Sequence, residues 1–462
     1  MSRAQAIAAA ADYFDRGAFK ADLARRVAIP SESQNPDAKP ELQRYVRDEM
    51  IPALEALGFA TRIIEQAGAP GPFLYAERNE GEGRPTVLGY GHGDVIRGLA
   101  KSWNAGIEPW TLVEKDGRYY GRGTADNKGQ HTINLAALDA VLKARGSLGF
   151  NAKWLIEMGE ETGSRGVREV CETNKPLLKA DVFIASDGPR LSAERPTVFL
   201  GSRGCAAIDM WIDAREGGHH SGNWGGLLSS PAIQLVHALS TITDAKGCIL
   251  VPELRPDRIS NSVRAALADC KIETAPGDPE IDPAWGEPGL SLAEKVFGWC
   301  AFEILAMTSG VPESPVNAIP PRAWARTQVR FVVGVDPKGF VPALRRHLDK
   351  HGFPMVQVAS APGDEIMHAT RLDPDHPWVK WSVASIAKTT GAPPAILPNL
   401  GGSLPNDIFA DVLGLPTVWV PHSYPGCSQH APNEHLPKAL AREALQIMAG
   451  LYWDLGEPGT PR

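Results

Sequence analysis

Apolar residues recur at helical spacing through residues 4–27 and again through 40–58, where the pattern ends near Gly58. Short apolar runs follow at 62–64, 73–76 and 86–90, the last reading as a buried strand that leads into Gly91. Helical spacing returns over 132–144. Residues 153–157 then read as a strand, 167–172 as a helix and 180–185 as a strand. Strands alternating with helices predict an α/β unit on a mostly parallel central sheet flanked by helices.

Near Arg203 the texture changes. Residues 205–212 and 323–333 alternate apolar with polar, as half-buried antiparallel strands do, and helical patterns lie at 231–245 and 342–351. This predicts an inserted α+β unit. A Pro- and Gly-rich stretch, 273–289, reads as a surface loop within it. Past 374–377 the α/β texture resumes, with a helix from Trp378, a buried strand at 417–420 and a closing helix at 437–455. The expected division is 1–202 and 373–462 for one domain and 203–372 for the insertion.

The length of 462 residues suits two domains better than one core. A net charge of -7 with no run of Lys or Arg argues against nucleic-acid or anionic-membrane partners. The six cysteines are scattered and form no CxxC pair, as expected of thiols in a reducing compartment. The N-terminal segment lacks the apolar core of a signal peptide, and no run of about 18 apolar residues exists to span a bilayer. The cytoplasm is the expected location.

Five short clusters carry candidate chemistry. Gly91-His92-Gly93-Asp94 closes a buried strand, where open α/β sheets bind ligands. A metal-binding His needs a partner for its second ring nitrogen, and Asp94 is placed to supply it. Gly121-Arg122-Gly123-Thr124-Ala125-Asp126 precedes a helix, so Asp126 could be an N-cap or could share its two oxygens between metals. No GKS or GKT follows, which excludes a phosphate-binding P-loop.

Gly159-Glu160-Glu161 puts adjacent carboxylates at a strand end, one free to bind metal and one to act as a base. Ser186-Asp187-Gly188 and His430-Ala431-Pro432-Asn433-Glu434 each follow a predicted strand. Each cluster alone has an ordinary structural explanation. Together, five His and carboxylate groups at one sheet edge are what a two-metal hydrolytic site requires. Imidazole with carboxylate suits zinc, and also manganese or cobalt.

In order and spacing, GHGDV, GRGTADNKG, GEETGS, SDG and HAPNE resemble the motifs of the M20 metallopeptidases, over almost the whole chain. That family includes carnosinase-like dipeptidases, carboxypeptidase G2-like enzymes and aminoacylases. The resemblance implies a zinc-peptidase-like catalytic domain carrying an inserted lid through which two subunits dimerise. It implies that His92 and Asp187 hold one metal, Glu161 and His430 the other, and that Asp126 bridges them. Asp94 would orient His92, Glu160 would be the general base, and the peptide bond after Asp126 is often cis.

In the insertion, His219-His220-Ser221-Gly222 resembles the family's HSG segment, with His220 stabilising an oxyanion, commonly in the partner's site. Arg330 would bind a substrate carboxylate together with Ser403 and Gly402 of a GGSLP loop that is similar to the carnosinase type, and Asn317 would lie nearby. A guanidinium fork suits a carboxylate. The implied enzyme cleaves an amide beside a carboxylate. A dipeptidase or small-peptide exopeptidase is expected, with an N-acyl-amino-acid deacylase as the alternative. The intact ligand set with Glu160 disfavours a family member that only binds metal or peptide.

Overall fold

The computed structural model describes residues 2–272, 279–363 and 366–461. An eight-stranded sheet forms its centre. Across it the strands run Ala60–Ile64, Phe73–Arg78, Asn151–Glu157, Thr86–His92, Val182–Ala185, Thr417–Trp419, Thr197–Phe199 and Ala395–Leu397. Both faces are covered. Trp154, Ile156, Val182 and Ile184 pack beneath the helices Arg3–Asp15, Lys128–Arg145 and Lys438–Leu455. The alternate residues Leu155, Phe183 and Ala185 join Tyr90, Phe199 and Trp419 in a second core on the other face. Burial on both faces is why these strands read as continuous apolar runs.

The sheet is mixed but mostly parallel, as expected: four of its seven neighbouring strand pairs are parallel. The strands 151–157, 86–92, 182–185 and 417–419 are mutually parallel neighbours. Ala60–Ile64, Phe73–Arg78 and Asn151–Glu157 pair antiparallel, as do Thr417–Trp419 and Thr197–Phe199. The 65–72 connection is too short for the crossover of about a dozen residues that a parallel pair needs.

The helical pattern of 4–27 is two helices, Arg3–Asp15 and Ala18–Val27, because Gly17 takes φ +82 between them. The 40–58 pattern is also divided, into Lys39–Arg44, a π-helical stretch Tyr45–Met50 and Ile51–Ala56. Pro52 has no N–H to donate back into the preceding turn.

A second sheet, wholly antiparallel, is ordered Ala301–Ser309, Arg322–Phe331, Gly204–Asp213, Gln357–Ser360. Ala206, Ile208, Met210, Ala325, Val329 and Phe331 turn into a core shared with the helices Pro231–Leu239 and Phe340–Lys350. The alternate positions on the central strand are Arg326, Gln328 and Arg330, which face the other way. Of the 273–289 segment, residues 273–278 lie outside the described residues, and 279–289 form no helix or strand. Among the described residues, no helix is long and apolar enough to cross a membrane.

Candidate metal centre and substrate end

Four adjacent parallel strands deliver four of the five metal-ligand candidates, and a turn before a helix supplies the fifth. His92 ends Thr86–His92, Glu161 lies in the turn Glu160–Thr162 after Asn151–Glu157, and Asp187 follows Val182–Ala185. His430 lies in the loop after Thr417–Trp419, and Asp126 precedes Asn127, the N-cap of Lys128–Arg145. All sit beyond the carboxyl ends of those strands or in the turn facing them. The Asp126–Asn127 peptide bond is cis.

Two groups result, and they share one residue: His92, Asp126 and Asp187 form the first, and Asp126, Glu161 and His430 the second. Asp126 Oδ1 is 3.1 Å from His92 Nε2, and its Oδ2 is 3.1 Å from His430 Nε2. Asp187 Oδ2 lies 3.5 Å from His92 Nε2, and Glu161 Oε2 lies 3.0 Å from His430 Nε2.

Asp94 does more than the sequence suggested. Its backbone oxygen is 3.0 Å and its Oδ1 3.3 Å from His92 Nδ1, which leaves Nε2 turned to the cluster. Its two carboxylate oxygens also accept the backbone N–H groups of Glu160 and Glu161, each at 3.1 Å. One buried acid thus fixes both the His ring and the turn that carries the two glutamates.

Glu434 was visible in the HAPNE motif but had no assigned role. It is buried, accepts from Gly123, Ala125 and Asp126 N–H groups at 2.9–3.0 Å, and pairs with Arg122 at 2.7 Å. It therefore holds the backbone that presents Asp126. On the other side, Asn127 Nδ2 donates to the Ser186 carbonyl at 2.8 Å, tying this turn to the Asp187 strand end. Nothing in local sequence periodicity encodes these long-range bonds.

The electrostatics are those of a site short of positive charge. Burial pushes Glu160 well above the carboxylate range, with Asp187, Glu161 and Asp126 adding to the rise against His92. Burial, then Asp126, raises Glu161 to about 7, and burial raises Asp187 to about 6. His430 is raised to about 11 by its bonds to Asp126 and Glu161. Burial opposes charge on His92, but its bonds to Asp126 and Asp94 outweigh that and raise it well above the usual imidazole value. Asp187 Oδ2 is buried with no hydrogen-bond partner. Crowded carboxylates, an orphaned oxygen and two imidazoles fit a pair of divalent cations, which would replace this mutual repulsion with coordination.

The substrate-end candidates separate into two places. Arg330 Nη1 donates to Ser403 Oγ at 2.8 Å, its Nε donates to Gln328 at 3.0 Å, and Gly402 lies exposed beside Ser403. His220 is exposed and accepts from Gly222 N–H at 3.1 Å. It pairs with Ala318, next to Asn317, whose carbonyl accepts from Ser221. Among the described residues, no hydrogen bond or ion pair joins His220 or Asn317 to the His92–His430 cluster.

The profile of the family described as "Peptidase family M20/M25/M40" matches residues 88–454. The Beta-Ala-His dipeptidase of Rattus norvegicus is 23% identical over 399 residues, 84% of this chain and 80% of that protein. The Cys-Gly metallodipeptidase of Candida albicans is 26% identical over 453 residues, 90% of each. The solved structure of human carnosine dipeptidase 1 superposes with a TM-score of 0.78 at 23% identity, covering 97% of this chain and 98% of that one. An M20 family metallo-carboxypeptidase from Sulfolobus solfataricus gives 0.79 at 24% identity, covering 95% and 99%.

Proposed function

The chain belongs to peptidase family M20/M25/M40 and is a hydrolytic metallopeptidase; from that premise we propose that it cleaves dipeptides or the terminal residue of small peptides at an amide next to a free carboxylate. The observation that carries this reading is Asp126, whose two oxygens each face a different histidine beside Glu160. His92 and Asp187 would hold one divalent ion and Glu161 and His430 the other, with Asp126 between them. Zinc fits this donor set, as do manganese and cobalt. When bound, the ions supply Lewis acidity and a water of lowered pKa.

The protein's own groups do the rest. Glu160, held by Asp94 through its backbone, takes the proton of the attacking water and passes it to the leaving amine nitrogen. Arg330 and Ser403, with the open Gly402 backbone, hold the substrate's carboxylate and so fix the distance to the scissile bond. His220, exposed on the second sheet's side with Asn317 beside it, supplies an oxyanion donor to a second copy of the chain; such donors contribute about 3 kcal/mol.

The surface favours that pairing. The edge strand Ala301–Ser309 exposes Ile304, Leu305 and Met307, and the helix Pro231–Leu239 exposes Ile233 and Val236. Apolar exposure of this kind on one edge strand marks interaction surfaces. None of the six cysteines is in a disulfide, which supports a reducing, cytoplasmic setting.

Dipeptidase names among the relatives favour peptide substrates over N-acyl amino acids. The test is a panel of dipeptides against N-acetyl amino acids with the metal-loaded enzyme. Faster cleavage of dipeptides supports the reading. Cleavage of N-acetyl amino acids with dipeptides left intact overturns it in favour of a deacylase.

A further inference from the structure

Arg203 stands where the chain leaves the central sheet for the second one. Its N–H donates to the Leu400 carbonyl at 3.0 Å, and its Nε donates to the Gly401 carbonyl at 2.8 Å. Its own carbonyl accepts from Ser403 Oγ at 2.7 Å, the same hydroxyl that receives Arg330 Nη1 at 2.8 Å. One serine therefore links the two arginines. Their guanidinium groups are close enough that, after burial, Arg330 is the largest cause lowering Arg203 to about 10.

Two like charges in a half-buried place demand a counter-ion. Other arginines have one. Arg322 pairs with Asp213, Arg326 with Asp209, Arg168 with Asp407 and Arg195 with Asp269. Among the described residues, neither Arg203 nor Arg330 makes an ion pair, and neither leaves a guanidinium nitrogen both buried and unbonded. The groups that favour charge on Arg203 are Cys300, Cys205 and, last, Glu303, an exposed residue on the edge strand; each has a smaller effect than Arg330. Holding two partly desolvated guanidinium groups together without a carboxylate is unfavourable, and an incoming anion relieves it.

We propose that Arg203 is a second guanidinium for the substrate's terminal carboxylate, so that Arg203, Ser403 and Arg330 form one clamp spanning both sheets. The proposal rests on the reading of Arg330 and Ser403 as the carboxylate site. It adds a residue that stands outside the second sheet's strands and holds Gly401 and Ser403 in place. The clamp makes the free carboxylate, rather than the side chain beside it, the main determinant of recognition at this end.

The test uses a dipeptide isostere with a reduced, non-cleavable amide, as the free acid and as its C-terminal amide, titrated calorimetrically into the metal-loaded protein. The wild type is expected to bind the acid at least tenfold tighter than the amide. Arg203→Gln is expected to lose most of that preference, and Arg203→Lys to recover part of it. A preference unchanged in Arg203→Gln overturns the clamp, as does a wild type that binds acid and amide alike. A merely structural role would weaken both forms together and leave their ratio intact, which also overturns it. Cleavage of the parent dipeptide is measured alongside. A wild type that prefers the acid without cleaving the dipeptide, with that preference lost in Arg203→Gln, counts against the peptidase reading and leaves the clamp standing. Cleavage with an unaltered ratio in Arg203→Gln does the reverse.

Discussion

Arg330 lies directly across from Cys205 in the second sheet, at the one point where a repeating pair of opposite charges is broken. Along the same strand Arg322 lies across from Asp213 and Arg326 across from Asp209, and each makes an ion pair with its partner. At the third step the aspartate is replaced by cysteine, and Arg330 turns to Ser403 and Gln328. The strand thus neutralises two arginines internally; under the proposed function the charge of the third is left for a substrate carboxylate.

Cys205→Asp restores the missing counter-ion and so should compete with the substrate. Even a surface ion pair contributes up to about 1 kcal/mol, so at this half-buried position KM for a dipeptide should rise roughly fivefold or more with kcat little changed. Steady-state kinetics check this. An unaltered KM would mean that the charge of Arg330 is not used in binding.

Glu434 should matter for metal retention although it is no ligand. Glu434→Gln removes the charge opposite buried Arg122 and turns an amide N–H₂ toward backbone donors. Loss of one member of a buried pair costs about 3–5 kcal/mol, and loss of a supporting group about 10–100-fold in metal affinity. Thermal unfolding and metal content after dialysis should both fall. Wild-type values for both would show that the Gly121–Asp126 turn holds itself.

Chelation should make stability strongly pH-dependent. In the metal-free site Asp187 is raised to about 6 and Glu161 to about 7, so folding favours their protonated forms. A carboxylate raised on folding loses its stabilising contribution as pH climbs from its unfolded value through its folded one. His430, raised to about 11, contributes fully below its unfolded value near 6.5 and loses that contribution as pH rises through 11. All three trends have one sign. The Tm of the chelated protein should fall between pH 5.5 and pH 8, more than that of the metal-loaded protein. Parallel curves with and without chelator would contradict the electrostatic picture.

If two copies meet through the second sheet, placing charge on its apolar edge should part them. Leu305→Lys with Met307→Lys should convert a dimer into a monomer in light scattering and lower turnover by removing His220 from the neighbouring site. A dimer that persists with full activity would place the interface elsewhere.

Much of this was legible in the sequence because the chemistry lies at strand ends. Glycine-flanked His92, Asp126 in its glycine-rich turn, and the acids after the runs at 153–157 and 180–185 mark themselves locally. The π-helical stretch at Tyr45–Met50 and the antiparallel edge strands were not legible, since both depend on chain connections rather than on apolar spacing. The roles of Glu434, Asn127 and Arg203 escaped for another reason. Their partners lie far along the chain, as with Glu434 and Gly123, and a side chain that serves another residue's backbone leaves no periodic trace.

The central claim is that a metal pair and a separate base share the work. Glu160→Gln tests it most directly, because Glu160 belongs to neither metal group. Two metal ions per chain should remain by elemental analysis, and turnover of a dipeptide should fall by about 10²–10⁴-fold, the usual contribution of a general base. A variant that keeps its metal and still turns over near the wild-type rate would contradict the account.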